Sequence, residues 1–226
     1  MRIQRRRTTV AGALAFLLFA TSTAYAVPIL VDNSQLAGNR SVGSGITAGG
    51  DWSTSLDLEF AIVDLGGGQW SYTYQFFVDS PEPSHFIFEV SESITETNIA
   101  QMILSPNFPL SDEDPRFYGP NFPGNSSNPG LTVDFYGVKA EDGDNPSLYT
   151  FISPRAPIWG DFYIKGGRDS FGFNSGIGTD PNASTTDFTN WIPVPDTTNG
   201  QGQAPEPETL LLIGAGLIVL YRRRRA

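Results

Sequence analysis

LDLEFAIVDLGGGQWSYTYQFFV, running from Leu56 to Val78, decides the fold. Its first half sets Leu56, Leu58, Phe60 and Ile62 two residues apart, with Asp57, Glu59 and Ala61 between them. A period of two sends alternate side chains to opposite faces of an extended chain, so this is a strand with one buried face. The second half repeats the pattern with larger rings, placing Trp70, Tyr72, Tyr74, Phe76 and Val78 on one face. Gly66-Gly67-Gly68 separates the halves and permits reversal at low steric cost. The stretch is read as a β-hairpin.

Outward from this hairpin, further runs of β-branched and aromatic residues are expected as strands at His85 to Ser91, Leu131 to Ala140, Leu148 to Ser153, Ile158 to Lys165 and Ser170 to Asn174. Asp142-Gly143 and Lys165-Gly166-Gly167-Arg168 supply turns between consecutive pairs of them. Ser93 to Glu96 has the spacing of a helix-capping box ahead of Ile99, Met102 and Ile103, which makes one short helix the expectation there. Ser105 to Gly130 holds six prolines and is read as a long surface loop plugged by Phe117, Tyr118 and Phe122. Seven or eight strands joined by turns predict an all-β fold, an antiparallel β-sandwich or jelly roll. The expected divisions are a signal peptide over 1–26, an all-β extracellular domain over 27–192, a flexible Pro, Thr, Asn, Gly and Gln tether over 193–204, and a C-terminal tail over 205–226.

The net charge of −10 conceals a segregation: eight of the fourteen basic residues sit at the two extremities. Between Val27 and Ala204 there are six basic and twenty-two acidic residues, a balance of −16. Such a body lacks the basic footprint that phosphate recognition needs, which excludes nucleic acid as a partner. With no cysteine in the chain, disulfides, thiolate metal sites and cysteine nucleophiles are excluded as well.

At the N-terminus, Arg2 to Arg7, an apolar run from Val10 to Ala20 and the small-x-small site Ala24-Tyr25-Ala26 make the three parts of a secretory signal, with cleavage expected after Ala26. At the other end, Pro205-Glu206-Pro207 precedes an apolar run from Leu210 to Tyr221 and the cluster Arg222, Arg223, Arg224 and Arg225. As a helix that run covers roughly 18 Å, against about 30 Å of hydrocarbon, a short transmembrane span with its arginines held on the cytoplasmic side. This ordered tail resembles the PEP-CTERM sorting signal of Gram-negative bacteria. The resemblance implies export by the secretion machinery, transient anchoring in the inner membrane, processing by an exosortase near Pro205-Glu206-Pro207, and delivery to the cell surface or the extracellular matrix. It further implies a surface or matrix protein, non-enzymatic and associated with exopolysaccharide or biofilm. A carbohydrate- or calcium-binding module is the alternative expectation, and a secreted hydrolase the third.

The body offers few residues for chemistry. His85 is the only histidine, and its neighbour Ser84 lacks the Gly-x-Ser-x-Gly context of a nucleophile elbow, so no catalytic residue is assigned. Glu59, Glu89 and Asp161 are acids on expected strands, where a glycosidase pair could be drawn from. Asp112-Glu113-Asp114 and the run containing Asp142, Asp144 and Asn145 crowd oxygen donors into loops, a setting for Ca2+. Trp52 and Trp191 lie in polar surroundings and are the expected stacking platforms for sugars, whereas Trp70 belongs to the all-aromatic face of the hairpin.

Overall fold

The structure is a computed structural model that describes residues 29–195, apart from 92, 106–107, 112–113, 123–127 and 142–146. Its strands are β1 (Ala37–Val42), β2 (Gly45–Gly49), β3 (Asp57–Gly66), β4 (Gln69–Phe77), β5 (Pro83–Glu89), β6 (Arg116–Tyr118), β7 (Phe135–Glu141), β8 (Leu148–Ser153), β9 (Pro157–Gly160), β10 (Phe162–Gly166), β11 (Phe171–Asn174) and β12 (Ile192–Pro195). Ten of them form one continuous sheet in the order β6-β7-β5-β10-β11-β2-β1-β3-β4-β8, and β9 pairs with β12 in a separate ribbon.

The β3–β4 hairpin is the long arm that the sequence pattern predicts. Its register runs from Asp57↔Phe77 to Gly66↔Gln69, and Gly66, Gly67 and Gly68 all take the left-handed backbone that the turn requires. Leu58, Phe60, Ile62, Tyr72, Tyr74 and Phe76 point inward and are buried. The opposing half of the sheet supplies Phe86, Phe88, Val138 and Phe162. Ring contacts join the halves: Tyr74 to Phe86 at 5.1 Å, Phe88 to Phe151 at 5.2 Å and Phe86 to Tyr149 at 5.1 Å between centroids. The core is an aromatic seam, and the sheet is sandwich-like because it closes over that seam.

This corrects the expectation of a purely antiparallel sandwich or jelly roll. One hydrogen-bonded sheet supplies both layers, and it contains a parallel pair, β1 with β2, in register Ser41↔Gly45 and Val42↔Ile46. Only Gly43 and Ser44 separate the two strands, so the chain makes a sideways jog rather than a crossover. Gly43 at φ 79° and Gly45 at φ 89° make the jog, and a Cβ on Gly45 would strike the Thr189 carbonyl. Strands β1 and β2 thereby carry the sheet from one layer to the other.

Three further expectations change. The expected strand Ile158 to Lys165 is two strands in two sheets, divided at Asp161. The expected surface loop from Ser105 contains β6, which pairs with β7 and places Tyr118 in a second core with Ile87, Leu131, Phe135 and Tyr163, on the outer side of β5 and β10. The expected tether from 193 begins as strand: Pro193 and Pro195 lie in β12, tolerated because β12 is an edge whose prolines need donate nothing. The carbonyl of Pro193 turns inward and accepts from Tyr74 Oη at 2.8 Å. On the other edge of β9, Val31 donates to the Pro157 carbonyl and Trp159 to the Ile29 carbonyl, so β9 is flanked by both ends of the described chain.

The helix is shorter than the capping box suggests, a single turn α1 (Ile99–Met102) preceded by Asn98, whose side chain makes no capping bond. No helix among the described residues is long and apolar enough to cross a membrane. The expected short transmembrane sorting helix falls in 205–226, outside the described residues, and the structure supplies no span for it. Transient inner-membrane anchoring through such a helix is withdrawn accordingly. The expected signal-cleavage residues Ala24 and Ala26 also lie outside the described residues.

Phe86 touches Tyr74, Phe76 and Tyr149 across the seam and Phe88 and Phe162 on its own side. Phe86→Ala is expected to cost about 3–5 kcal/mol, because both layers lose their shared contact and a cavity remains. Urea unfolding followed by tryptophan fluorescence measures it; a loss under 1 kcal/mol would show that the halves do not meet there.

Candidate functional site

Leaving β9 for β10, the chain changes sheets, and the polar groups freed by that step require new partners. Asp161, at the step, donates its N–H to Glu89 Oε2 at 2.8 Å. Its own carboxylate accepts from Asn174 Nδ2 at 2.7 Å and from the Gly178 N–H at 2.6 Å. Asn174, at the end of β11, takes the Phe162 N–H on its Oδ1 at 2.7 Å and donates from Nδ2 to the Asn190 carbonyl at 2.9 Å. Two buried side chains thus hold the segment 175–191, a strap connecting β11 to β12.

Neither acid makes an ion pair among the described residues. Burial, reinforced by the charge of Asp161, pushes the Glu89 carboxyl up to about 8. Burial also raises Asp161, but the bonds from Asn174 and Gly178 favour its ionised form. Both Asp161 oxygens face N–H donors, whereas Glu89 has one oxygen so engaged. The pair therefore shares its proton chiefly on Glu89.

The strap has a second fastening. Arg40, buried on β1, donates from Nε to the Trp191 carbonyl at 3.0 Å, from Nη2 to the Phe188 carbonyl at 3.0 Å and from Nη1 to the Asn39 carbonyl at 2.8 Å. Its guanidinium sits 5.0 Å from the Phe60 ring centroid and 5.8 Å from that of Trp159, whose other neighbour is the stacked ring of Phe188 at 4.9 Å. Burial lowers the Arg40 pKa and the charge of Asp187 opposes that shift. A groove of about 300 Å³ opens here, between the start of β1 and the strap, lined by Gln35, Arg40, Phe60, Trp159, Asp187 and Phe188 among others.

The last stretch of the chain, residues 203–225, matches the family described as the PEP-CTERM protein-sorting motif. The chain carries a PEP-CTERM sorting motif. No curated protein and no solved structure matches it. The motif makes this an exported, sorting-tagged protein linked to the exosortase system, and it ends short of the body that holds the groove.

The PEP-CTERM residues Pro205, Glu206 and Pro207 and the cluster Arg222, Arg223, Arg224 and Arg225 lie outside the described residues, as do the calcium candidates Asp142, Asp144 and Asn145. Of the other acidic loop, Asp114 is described and buried. Its carboxylate accepts from Tyr118 Oη and from the Lys139 N–H, so its oxygens serve the protein itself. No group of three or more His, Cys, Asp or Glu placed to hold a metal occurs among the described residues.

Trp52, expected at the surface, is fully buried: its ring lies against Gly166 and its Nε1 donates to the Pro81 carbonyl at 2.9 Å. No face of Trp52 is left for a sugar, because burial is set by contacts far along the chain and not by its polar neighbours. Trp191 is half-buried, and its Nε1 donates to Thr179 in the strap at 2.6 Å. His85 is buried, with its pKa lowered to about 4 by desolvation, and Nε2 lies 2.9 Å from Asn128 Oδ1. Ser84 Oγ is 3.4 Å from His85 Nδ1 but donates to the Lys165 carbonyl at 3.1 Å. Of the acids singled out in the sequence, the structure brings Glu89 and Asp161 together and leaves Glu59 on the exposed face of β3. Arg40, Asn174 and Asp187 were missed; the only available signal was that Arg40 is one of the few cations of the body.

A carboxyl whose folded pKa is raised stabilises the fold fully below its unfolded value, and that stability is lost as pH climbs through the folded value. An unfolded histidine has given up its proton by about pH 7.5, so the decline from there to about pH 8.5 belongs to the Glu89–Asp161 pair, whose proton sits chiefly on Glu89. Stability is expected to fall over that window, and Glu89→Gln, which keeps the protonated shape, is expected to flatten the fall. Equal slopes for the two proteins in urea unfolding at both pH values would remove Glu89 from this role.

Proposed function

We propose that this protein is a non-enzymatic component of the cell surface or extracellular matrix, delivered there by exosortase-dependent sorting and associated with exopolysaccharide. The PEP-CTERM motif at residues 203–225 carries the reading. An exported, sorting-tagged protein requires a body that stays folded outside the cell, and the closed aromatic seam supports such a body. The acid pair Glu89 and Asp161 speaks for structure over hydrolysis, since its donors are backbone and amide N–H groups and neither acid lines the groove. The strongly acidic body suits a soluble surface or matrix role.

The test is export of the full chain against a chain ending at residue 202, in a host that possesses an exosortase. The full chain is expected in the surface or matrix fraction with Arg222 to Arg225 removed, and the truncated chain is expected to be missing from that fraction. Equal distribution of the two, or an intact arginine cluster on the surface-located protein, would defeat the proposal.

A further inference from the structure

Two features of the Arg40 groove call for a partner. Arg40, nearly buried in the groove's lining, commits three of the five N–H groups of its guanidinium to carbonyls, which leaves two without an acceptor among the described residues. Trp159 lines the groove as well, with its Nε1 closed off from it. On the rim, Asp187 uses Oδ1 to accept from the N–H and hydroxyl of Thr189, and the Gln35 side chain makes no hydrogen bond among the described residues. The groove therefore sets the remaining Arg40 donors beside the acceptors of Gln35 and Asp187, with the rings of Phe60 and Phe188 also in its lining.

The chemistry selects the ligand class. An apolar molecule would bury the remaining Arg40 donors without relief. An anion would suit Arg40 but face the Asp187 carboxylate, and the balance of −16 over the body would repel an acidic polymer on approach. A hydroxyl both donates and accepts, so a ring carrying several adjacent hydroxyls answers Arg40, Gln35 and Asp187 together while its C–H surface meets the aromatic rings. At about 300 Å³ the groove lies at the small end of ligand sites, the size of one or two sugar units.

We propose that the groove between Arg40 and the strap is a binding site for a neutral saccharide, recognised as one or two units of a longer glycan. This rests on the reading of the protein as exported and exopolysaccharide-associated, which brings it to such a polymer, but the site and the ligand's neutrality follow from the groove alone.

The full chain is run in native gels containing dextran, hydroxyethyl cellulose, galactomannan or polygalacturonate, beside the double variant Gln35→Ala/Asp187→Ala. Both positions lie on the rim, and melting curves verify that the variant is folded. As a remote control, Glu59→Gln changes the exposed face of β3. The expected result is retardation by at least one neutral glycan, weakened about tenfold or more in the double variant and unchanged in the control, with polygalacturonate inert. Migration unaffected by every neutral glycan, retardation that survives the double variant, or retardation by polygalacturonate alone would each overturn the proposal. Should the groove fail while the chain ending at 202 is still lost from the surface fraction, the sorting assignment stands without it; the reverse pattern would leave a glycan-binding body with the wrong destination.

Discussion

Between Gly160 and Phe162 the chain leaves the two-stranded ribbon and enters the ten-stranded sheet, and the polar groups exposed by that transfer converge on the Asp161 carboxylate. A buried carboxylate without a cation is unfavourable unless its lone pairs are filled, and here N–H donors from Asn174 and Gly178 fill them. The same contacts fasten the strap, bring Asn190 beside β11 and set the height at which Phe188 stacks on Trp159. The ribbon, the strap and the groove all depend on this one junction.

Arg40 does the complementary work on the far side of the strap. Where Asp161 draws in N–H groups, Arg40 draws in carbonyls, so the strap is held at opposite ends by groups of opposite polarity. A hydrophobic pair could have packed in either place at lower desolvation cost. Only polar groups, however, fix a segment that has no regular secondary structure, because its backbone groups have no ladder of their own. The cost appears at Glu89, whose carboxyl burial keeps protonated near neutral pH.

How much of this was legible depended on whether the deciding contacts were local. The β3–β4 hairpin could be read because its signal is contained in consecutive residues: an alternation, three glycines and another alternation. Strands β1 and β2 gave no such signal, since Ala-Gly-Asn-Arg-Ser-Val and Gly-Ile-Thr-Ala-Gly contain little to bury, and their place in the sheet is imposed by neighbours on both sides. The division at Asp161 was hidden for a similar reason, as one acid within Ile158 to Lys165 does not interrupt an apolar run. Trp52 misled through its neighbours Asp51 and Ser53, while its burial is decided by Gly166 and Pro81. Glu89 and Asp161 could be singled out as acids on strands, but their union required knowing that β5 and β10 are adjacent.

The arrangement around β9 has a mechanical meaning. Residues 29–31 and β12 both run antiparallel to β9 and therefore run in the same direction as each other, one on each side of it. Tension between the two ends of the body would pull them in opposite senses along that strand, so the load is applied in shear. All four residue pairs of β12 with β9 would resist together, instead of opening one after another from a free end. A body built this way transmits a tug at its C-terminal side through a short clasp, and the aromatic seam of the large sheet is spared.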